Sequence, residues 1–418
     1  MSATFRSLKY PNFRLYFVGQ SLSLIGTWME RIAVNWLVYT VTHSALMLGV
    51  VNFCGQIPTM LLSPYGGAIV DRNNRYKVLL TTQIAAMIQA SIMATLILSH
   101  IYYMPAIIGL SIVLGIINAF DTPARQSLMI RLIDDKSDLQ NAIALNSSMV
   151  NVARLIGPAV AGVLLTTVGM GVCFLVNAIS FIAVIVSLLM MKLAPEKVDK
   201  AVGSIWENLK GGYEYLKGEQ NIKLMILLMA CTSFFTMTYS TLLPIFAKDI
   251  FHGNASTYSW LNSVSGLGAL CGAFYMATLK STENLRKTII IASIICGTSI
   301  AAFACSPQLW LALVFIATGG LGMMIQIAGT NTFIQTTVAP QMRGRVISYY
   351  VMAFMGVQPI GSFFAGLAAH HFNVRYVLFV QGAAGLVAAI LFGLFFKRAK
   401  ERRIALAATQ PPGAELIP

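Results

Sequence analysis

Hydrophobic residues in this chain come in long runs separated by short polar breaks, and the runs recur at nearly constant length. About twenty apolar residues in a helix cross the hydrocarbon core of a bilayer, and tilted helices use more. By that measure the pattern predicts twelve spans, over residues 12–41, 44–70, 77–99, 104–127, 139–167, 171–191, 222–250, 256–279, 287–305, 308–336, 343–371 and 374–396. An even number of crossings puts both termini on one face. The connections on the opposite face, such as Thr42-His43, Val168-Gly169-Met170 and Ser306-Pro307, are short and nearly uncharged. The expected fold class is an all-α membrane protein without a soluble domain on that face.

The longest polar break runs from Lys192 to Lys223. Within it Ile205, Trp206, Leu209, Tyr213 and Leu216 recur at helical spacing among Lys and Glu. That pattern predicts an amphipathic helix lying on the membrane surface; a regulatory or partner-binding segment is the alternative. The chain then divides into a six-helix half (1–192), a linker (193–221), a second six-helix half (222–397) and a tail (398–418), with no structure expected after Arg403. Span 5 enters through Asn141-Ala142-Ile143 and carries Gly157-Pro158 and then Gly162. Span 11 enters through Arg343-Gly344-Arg345 and carries Gln358-Pro359, Gly361 and Gly366. Similar helix-packing devices at matching positions indicate a parallel repeat of two halves.

Composition agrees: 57% of the 418 residues are hydrophobic and 11% are charged, against about 25% charged in soluble domains. The net charge of +14 suggests nucleic acid until the charges are placed. All but four of the 29 Lys and Arg (Arg31, Arg154, Lys248 and Arg375) fall on the face of the termini. Such a bias sets orientation, with both termini in the cytoplasm, and needs no acidic partner. The six cysteines form no CxxC pair and read as small packing residues, so no disulfide framework and no metal site is expected. The first run is too long for a signal-peptide core and lacks an A-x-A cleavage site, so it is kept as a span. No GxxxxGK[ST], HExxH or GxSxG motif occurs, so neither ATP drive, catalytic residues nor a cofactor is expected. Asp134-Asp135 read as a solvated helix start before Leu139.

Between spans 2 and 3 lies Gly66-Gly67-Ala68-Ile69-Val70-Asp71-Arg72-Asn73-Asn74-Arg75-Tyr76-Lys77. The two glycines let a helix end approach its neighbour closely. The stretch resembles the loop between helices 2 and 3 of the major facilitator superfamily, with Asn74 where that family usually has Gly. Asn tolerates the left-handed backbone such a turn uses. The second copy near Lys280 to Lys287 keeps the basic residues but not the acid at the matching place. Phe120-Asp121-Thr122-Pro123-Ala124-Arg125-Gln126-Ser127, Asn141 to Ser147, Ala153 to Gly162 and Arg343-Gly344-Arg345-Val346 narrow the resemblance to the branch containing the enterobactin exporter and drug–proton antiporters. It implies a twelve-helix transporter of two pseudo-symmetric halves in a bacterial inner membrane. It implies alternating access, with Gly67, Asp71, Arg72, Arg75, Asp121 and Arg125 at a cytoplasmic gate. The Arg154-to-Gly162 string resembles the span 5 motif of exporting antiporters. The implied partners are a small-molecule substrate, a proton gradient and the lipid bilayer, for a protein expected to act as a monomer.

Charges inside a membrane are functional candidates. Glu30 and Arg31 lie about 25 Å along span 1, in its outer half. Gln20, Ser23, Thr27 and Glu30 recur at i, i+3 and i+4 spacing and form one polar face. The resemblance puts spans 1, 4, 7 and 10 around a central cavity, so this face is expected to meet water and cargo. Glu30 is the candidate for proton coupling, against a second reading in which it pairs with a base at an outer gate. Arg31 points about 100° away from it. Arg154, on a face with Ser147, Asn151 and Pro158, reads as a tie between helices or as a cavity cation. Asn52-Gln56-Thr59, Gln326-Thr330 with Asn331 and Gln335, and the aromatic Trp28, Trp36 and Tyr239 are further candidates for the cavity wall. His370-His371 read as an incidental pair at the water interface. Three readings of function follow: siderophore export, multidrug or macrolide efflux, and a lipid-handling or receptor-like protein on the same fold.

Overall fold

A computed structural model describes residues 3–193, 205–279 and 284–409. Without water in the bilayer core, each backbone N–H and C=O must be satisfied within its own segment, and the apolar runs accordingly coil into helices. The first half comprises α1 (Pro11–Thr42), α2 (Ala45–Arg72), α3 (Arg75–Leu98), α4 (Met104–Arg131), α5 (Leu139–Thr167) and α6 (Met170–Leu189). A surface helix, α7 (Ile205–Gly218), follows. The second half comprises α8 (Gln220–Phe235), α9 (Tyr239–Ile245), α10 (Ala255–Thr278), α11 (Leu285–Cys305), α12 (Leu309–Thr337), α13 (Arg343–Val351), α14 (Val357–His371) and α15 (Val374–Thr409). Wide π turns at Phe246–Ile250 and Met352–Gly356 interrupt the seventh and eleventh crossings. Among the described residues this makes twelve crossings, ten of them long and apolar enough by composition alone. The other two, α1 and α10, bury polar side chains such as Gln20, Ser23, Glu30, Ser259 and Ser263.

Polar residues set the helix starts. Ser44 accepts from the Met47 amide at 3.3 Å and Asn254 from the Ser256 amide at 2.9 Å. Asn74 does the same for α3, accepting from the Lys77 amide at 3.1 Å, with φ −65°. Its backbone is not left-handed; Asn serves here as a cap. The close approach in this loop belongs to Gly66, where a Cβ would stand 2.2 Å from the Ala119 carbonyl oxygen of α4. Gly67 faces open space.

In the first half α1 packs on α5 and α6, α2 on α4, and α3 on α4 and α6. In the second, α10 packs on α12, α11 on α12 and α15, and α8 on α14 and α15. The halves meet along α2–α14 and α5–α10. Gly162 touches Ser259 at the second seam, and Gly157 seats α5 on Trp28 of α1, where a Cβ would come within 2.5 Å. Pro158 is buried beside it. One apolar cluster, including Trp36, Leu37, Leu48, Leu242, Tyr258 and Leu378, joins both halves at the face opposite the termini. At the face of the termini the core splits into two clusters, one around Phe13, Val70 and Leu128 and one around Ile222, Ile289 and Phe333. The halves are therefore closed together at one end and separately packed at the other.

Helix α7 docks on α13, where the Tyr349 hydroxyl donates to the Leu209 carbonyl at 3.0 Å and Leu216 is buried. Helix α15 continues to Thr409, beyond the point where the tail was expected to lose structure. The second-copy loop at 280–283 and the residues after 409 lie outside the described residues.

Candidate functional site

A cavity of about 390 Å³ lies in the first half. It runs from Tyr16, Arg125, Gln126 and Asn146 near the face of the termini to Asn35 and Asn52 beneath the closed end, and α1 to α5 supply its walls. Of the expected wall residues, Thr27, Glu30, Arg31, Asn52 and Gln56 line it, as does Trp28. The polar face of α1 divides: Thr27 and Glu30 reach the cavity, whereas Gln20 and Ser23 are buried among helices. Glycines at 19 and 26 explain this, because they bring α1 against Ser187, Asn177 and Ser180 of α6 and turn that side of the helix inward.

Glu30 is 3% exposed. The Asn177 side-chain amide donates to its Oε2, while its Oε1 is buried without a partner. Gln89 of α3 lies within hydrogen-bonding reach and donates through Nε2 to the Leu110 carbonyl at 3.3 Å. The Oε1 of Gln89 also lacks a donor. Unpaired buried acceptors are costly.

Arg31 and Arg154 share one aromatic ring. Their guanidinium carbons lie 5.4 and 5.5 Å from the centre of the Trp28 ring. Arg154 itself is outside the cavity wall and reaches across to Met323 Sδ of α12 at 3.9 Å. Nearer the face of the termini, Arg125 pairs with Asp121 at 2.6 Å, and Asp121 also accepts from Thr82 at 3.0 Å and Gln83 at 2.6 Å. This buried network binds α3 to α4 at the cavity floor. Asp71 and Arg72, grouped with it by sequence, lie exposed at the surface.

The second half contributes no wall to this cavity among the described residues. Tyr239 is buried against Ser265, and Gln326 donates to Thr232 at 2.6 Å. Asn331 bonds Gln335 within α12 at 3.0 Å. These polar groups join helices within the second half.

Two constellations were not read from the sequence. Tyr39 of α1 donates to Asp249, and Lys248 lies 6.0 Å over the Tyr39 ring, which ties the halves together at the closed end. The second is a clamp on Asp138, whose side chain is 1% exposed. Arg6 and Lys9 pair with it, the latter at 2.7 Å, and Tyr10 donates to it at 2.9 Å. The Asp138 hydrogen bond raises the Lys9 pKa above its ordinary value of 10.5. Neighbouring Asp135 caps the turn by accepting from the Ser137 amide at 2.9 Å, which holds its carboxyl below the usual 3.8. The sequence shows Arg6, Lys9 and Tyr10 before span 1 and Asp134, Asp135 and Asp138 just before span 5, without showing that the two groups meet. His370 and His371 are exposed with ring centres 5.1 Å apart. The cysteines are free, and no three metal-ligating side chains converge among the described residues.

Residues 2–416 match the model of the transmembrane secretion effectors, MFS_3. The chain belongs to this family of major facilitator transporters. Within it, the staphyloferrin A transporter of Staphylococcus aureus is 27% identical over 399 residues, covering 93% of this chain and 97% of that relative. The macrolide efflux protein A of Streptococcus pyogenes is 23% identical over 398 residues, covering 92% and 96%. Among solved structures, the nucleoside transporter NupG superposes with a TM-score of 0.73 at 14% identity, over 92% of this chain and all of that one. The protein is thus a multi-pass membrane transporter of small molecules built on the major facilitator fold, and not an enzyme.

Proposed function

We propose that this transporter exports a siderophore-like small molecule from the cytoplasm of a bacterium, driven by protons, through alternating access of two halves in the inner membrane. The observation that carries the reading is Glu30, a buried carboxyl on the wall of a cavity that is closed at the far end, with one oxygen lacking a donor. The excess of Lys and Arg at the face of the termini supports a cytoplasmic assignment for that face. On this assignment the described state is open to the cytoplasm and ready to load cargo. Closure of that face brings Asp71, Arg72 and Arg75 into a latch and opens the Tyr39–Asp249 end. A proton taken by Glu30 from outside and released inside commits the return. The reading takes the protein to act as a monomer.

Replacement Glu30→Gln keeps the shape and the Asn177 neighbour but cannot cycle a proton. Efflux by this variant is expected to lose its dependence on an imposed pH gradient; an unaltered dependence returns Glu30 to a purely structural role. Asp71→Asn is expected to leave the protein inserted and slow transport at least tenfold, as loss of a charged hydrogen-bonding group does; unchanged flux removes the latch. A second reading, efflux of macrolides or other lipophilic drugs, draws on the macrolide efflux relative and on the apolar share of the wall, including Leu24, Val34, Met93 and Leu114.

A further inference from the structure

The two guanidiniums that meet at Trp28 have no part in the proton path. Arg31 and Trp28 line the cavity, and Arg154 comes to the same ring from α5. Among the described residues neither arginine forms an ion pair, whereas Arg125 in the same wall is paired with Asp121. The hydrogen-bond partner of Arg154 is the Met323 thioether, a weak acceptor. Glu30, the carboxyl next to Arg31 in sequence, accepts from Asn177 of α6 and pairs with neither arginine among the described residues. Two like charges on one indole repel, and the ring face offsets only part of that cost. Among the described residues Arg31 meets the cavity without an ion-pair partner of its own, and Arg154 adds a second positive charge at the same ring from behind the wall.

We propose that Arg31, Arg154 and Trp28 form an anion subsite that takes the carboxylate groups of the cargo, so that the substrate class is a di- or tricarboxylate whose body lies on the Trp28 indole. The inference rests on the export reading above and narrows its cargo. A guanidinium presents paired donors in a planar fork that matches a carboxylate, which an ammonium does not. Farther along the wall Asn52 donates to Asn35 at 2.8 Å, and the side-chain oxygens of Asn52 and Gln56 suit hydroxyl or amide donors on the same molecule. A cationic amphiphile entering here meets two positive charges. Electrostatics therefore separates the siderophore-like reading from efflux of basic drugs.

The test uses the full-length protein in lipid nanodiscs, titrated calorimetrically with benzene-1,3,5-tricarboxylate and, separately, with tetraphenylphosphonium. The tricarboxylate is expected to bind the unaltered protein, and Arg31→Gln and Arg154→Gln each to weaken it by about tenfold or more, as loss of a charge-assisted pair does. Tetraphenylphosphonium affinity is expected to hold or rise in the same variants. Should a Gln variant not fold, Arg31→Lys and Arg154→Lys carry the test, with a several-fold loss expected from the missing fork. Failure of the tricarboxylate to bind the unaltered protein, or equal binding by every variant, overturns the subsite. Gradient-driven export that is unchanged in both Gln variants removes the subsite and leaves the exporter. Arginine-dependent binding without gradient-driven export removes the exporter and leaves the subsite.

Discussion

At the scale of single residues, small differences in neighbours decide roles that sequence alone cannot assign. Gly66 and Gly67 are chemically identical, yet a Cβ on one would meet the Ala119 carbonyl of α4 and a Cβ on the other would meet open space. Gly66→Ala is expected to force α2 from α4 and cost roughly 1–3 kcal/mol, the usual range for overpacking. Gly67→Ala is expected to be neutral or to stabilise by about 0.5–1 kcal/mol through helix propensity. Thermal unfolding of the two variants in detergent checks this, and equal losses contradict it. Asp138 was hidden for a related reason. Its neighbours Asp134 and Asp135 look the same in the sequence, and only the fold brings Arg6, Lys9 and Tyr10 onto one of the three. Asp138→Asn is expected to release the N-terminal segment and accelerate trypsin cleavage after Arg6 and Lys9; an unchanged cleavage rate shows that the clamp holds nothing. Arg31, Thr27, Asn52 and Gln56 were legible as cavity residues because polar side chains in a membrane span have few other places to go. Gln326 and Tyr239 were not, because helix-to-helix bonding uses the same residue types.

At the scale of elements the reading was nearly complete. The apolar runs fall on the twelve crossings with ends shifted by a few residues, except that α15 runs on past 396 to Thr409, since spanning length and caps such as Ser44 and Asn254 are local properties. The amphipathic break became α7, although its seat on α13 needed the distant Tyr349. The polar stripe of α1 was right as a stripe and incomplete as a cavity face, because Gly19 and Gly26 pull half of it into α6. The Tyr39–Asp249 bond was invisible for want of any periodic signal, joining as it does two helix ends 210 residues apart. Tyr39→Phe is expected to weaken that closure by a few-fold to tenfold, the range for a hydrogen bond to a charged group partly in water. A cysteine at Thr27 in an otherwise cysteine-free chain reports it. Labelling by an impermeant thiol reagent from the side opposite the termini is expected to rise in Tyr39→Phe, and a constant rate rules out the lock.

At the scale of the whole molecule, the single apolar cluster at one end and the paired clusters at the other leave the halves packed together at one end only, which the proposed function takes as one gate shut. Twelve helices and two halves followed from length, periodicity and repeated motifs, and the family from the resemblance of strings such as Gly66 to Lys77 and Ala153 to Gly162. The state did not, because both states of an alternating-access protein use the same sequence and differ by few contacts. Cargo was equally out of reach from sequence, since one fold carries many chemistries; the Trp28 pair narrows it by electrostatics. The central claim is proton-driven export, and flux tests it directly. Reconstituted protein would be given a carboxylate siderophore on the side of the termini beside a lipophilic dye, with an imposed pH gradient that is acid on the far side. The account predicts siderophore movement to the acid side that stops when the gradient is collapsed. Dye movement alone, or siderophore movement indifferent to the gradient, contradicts it.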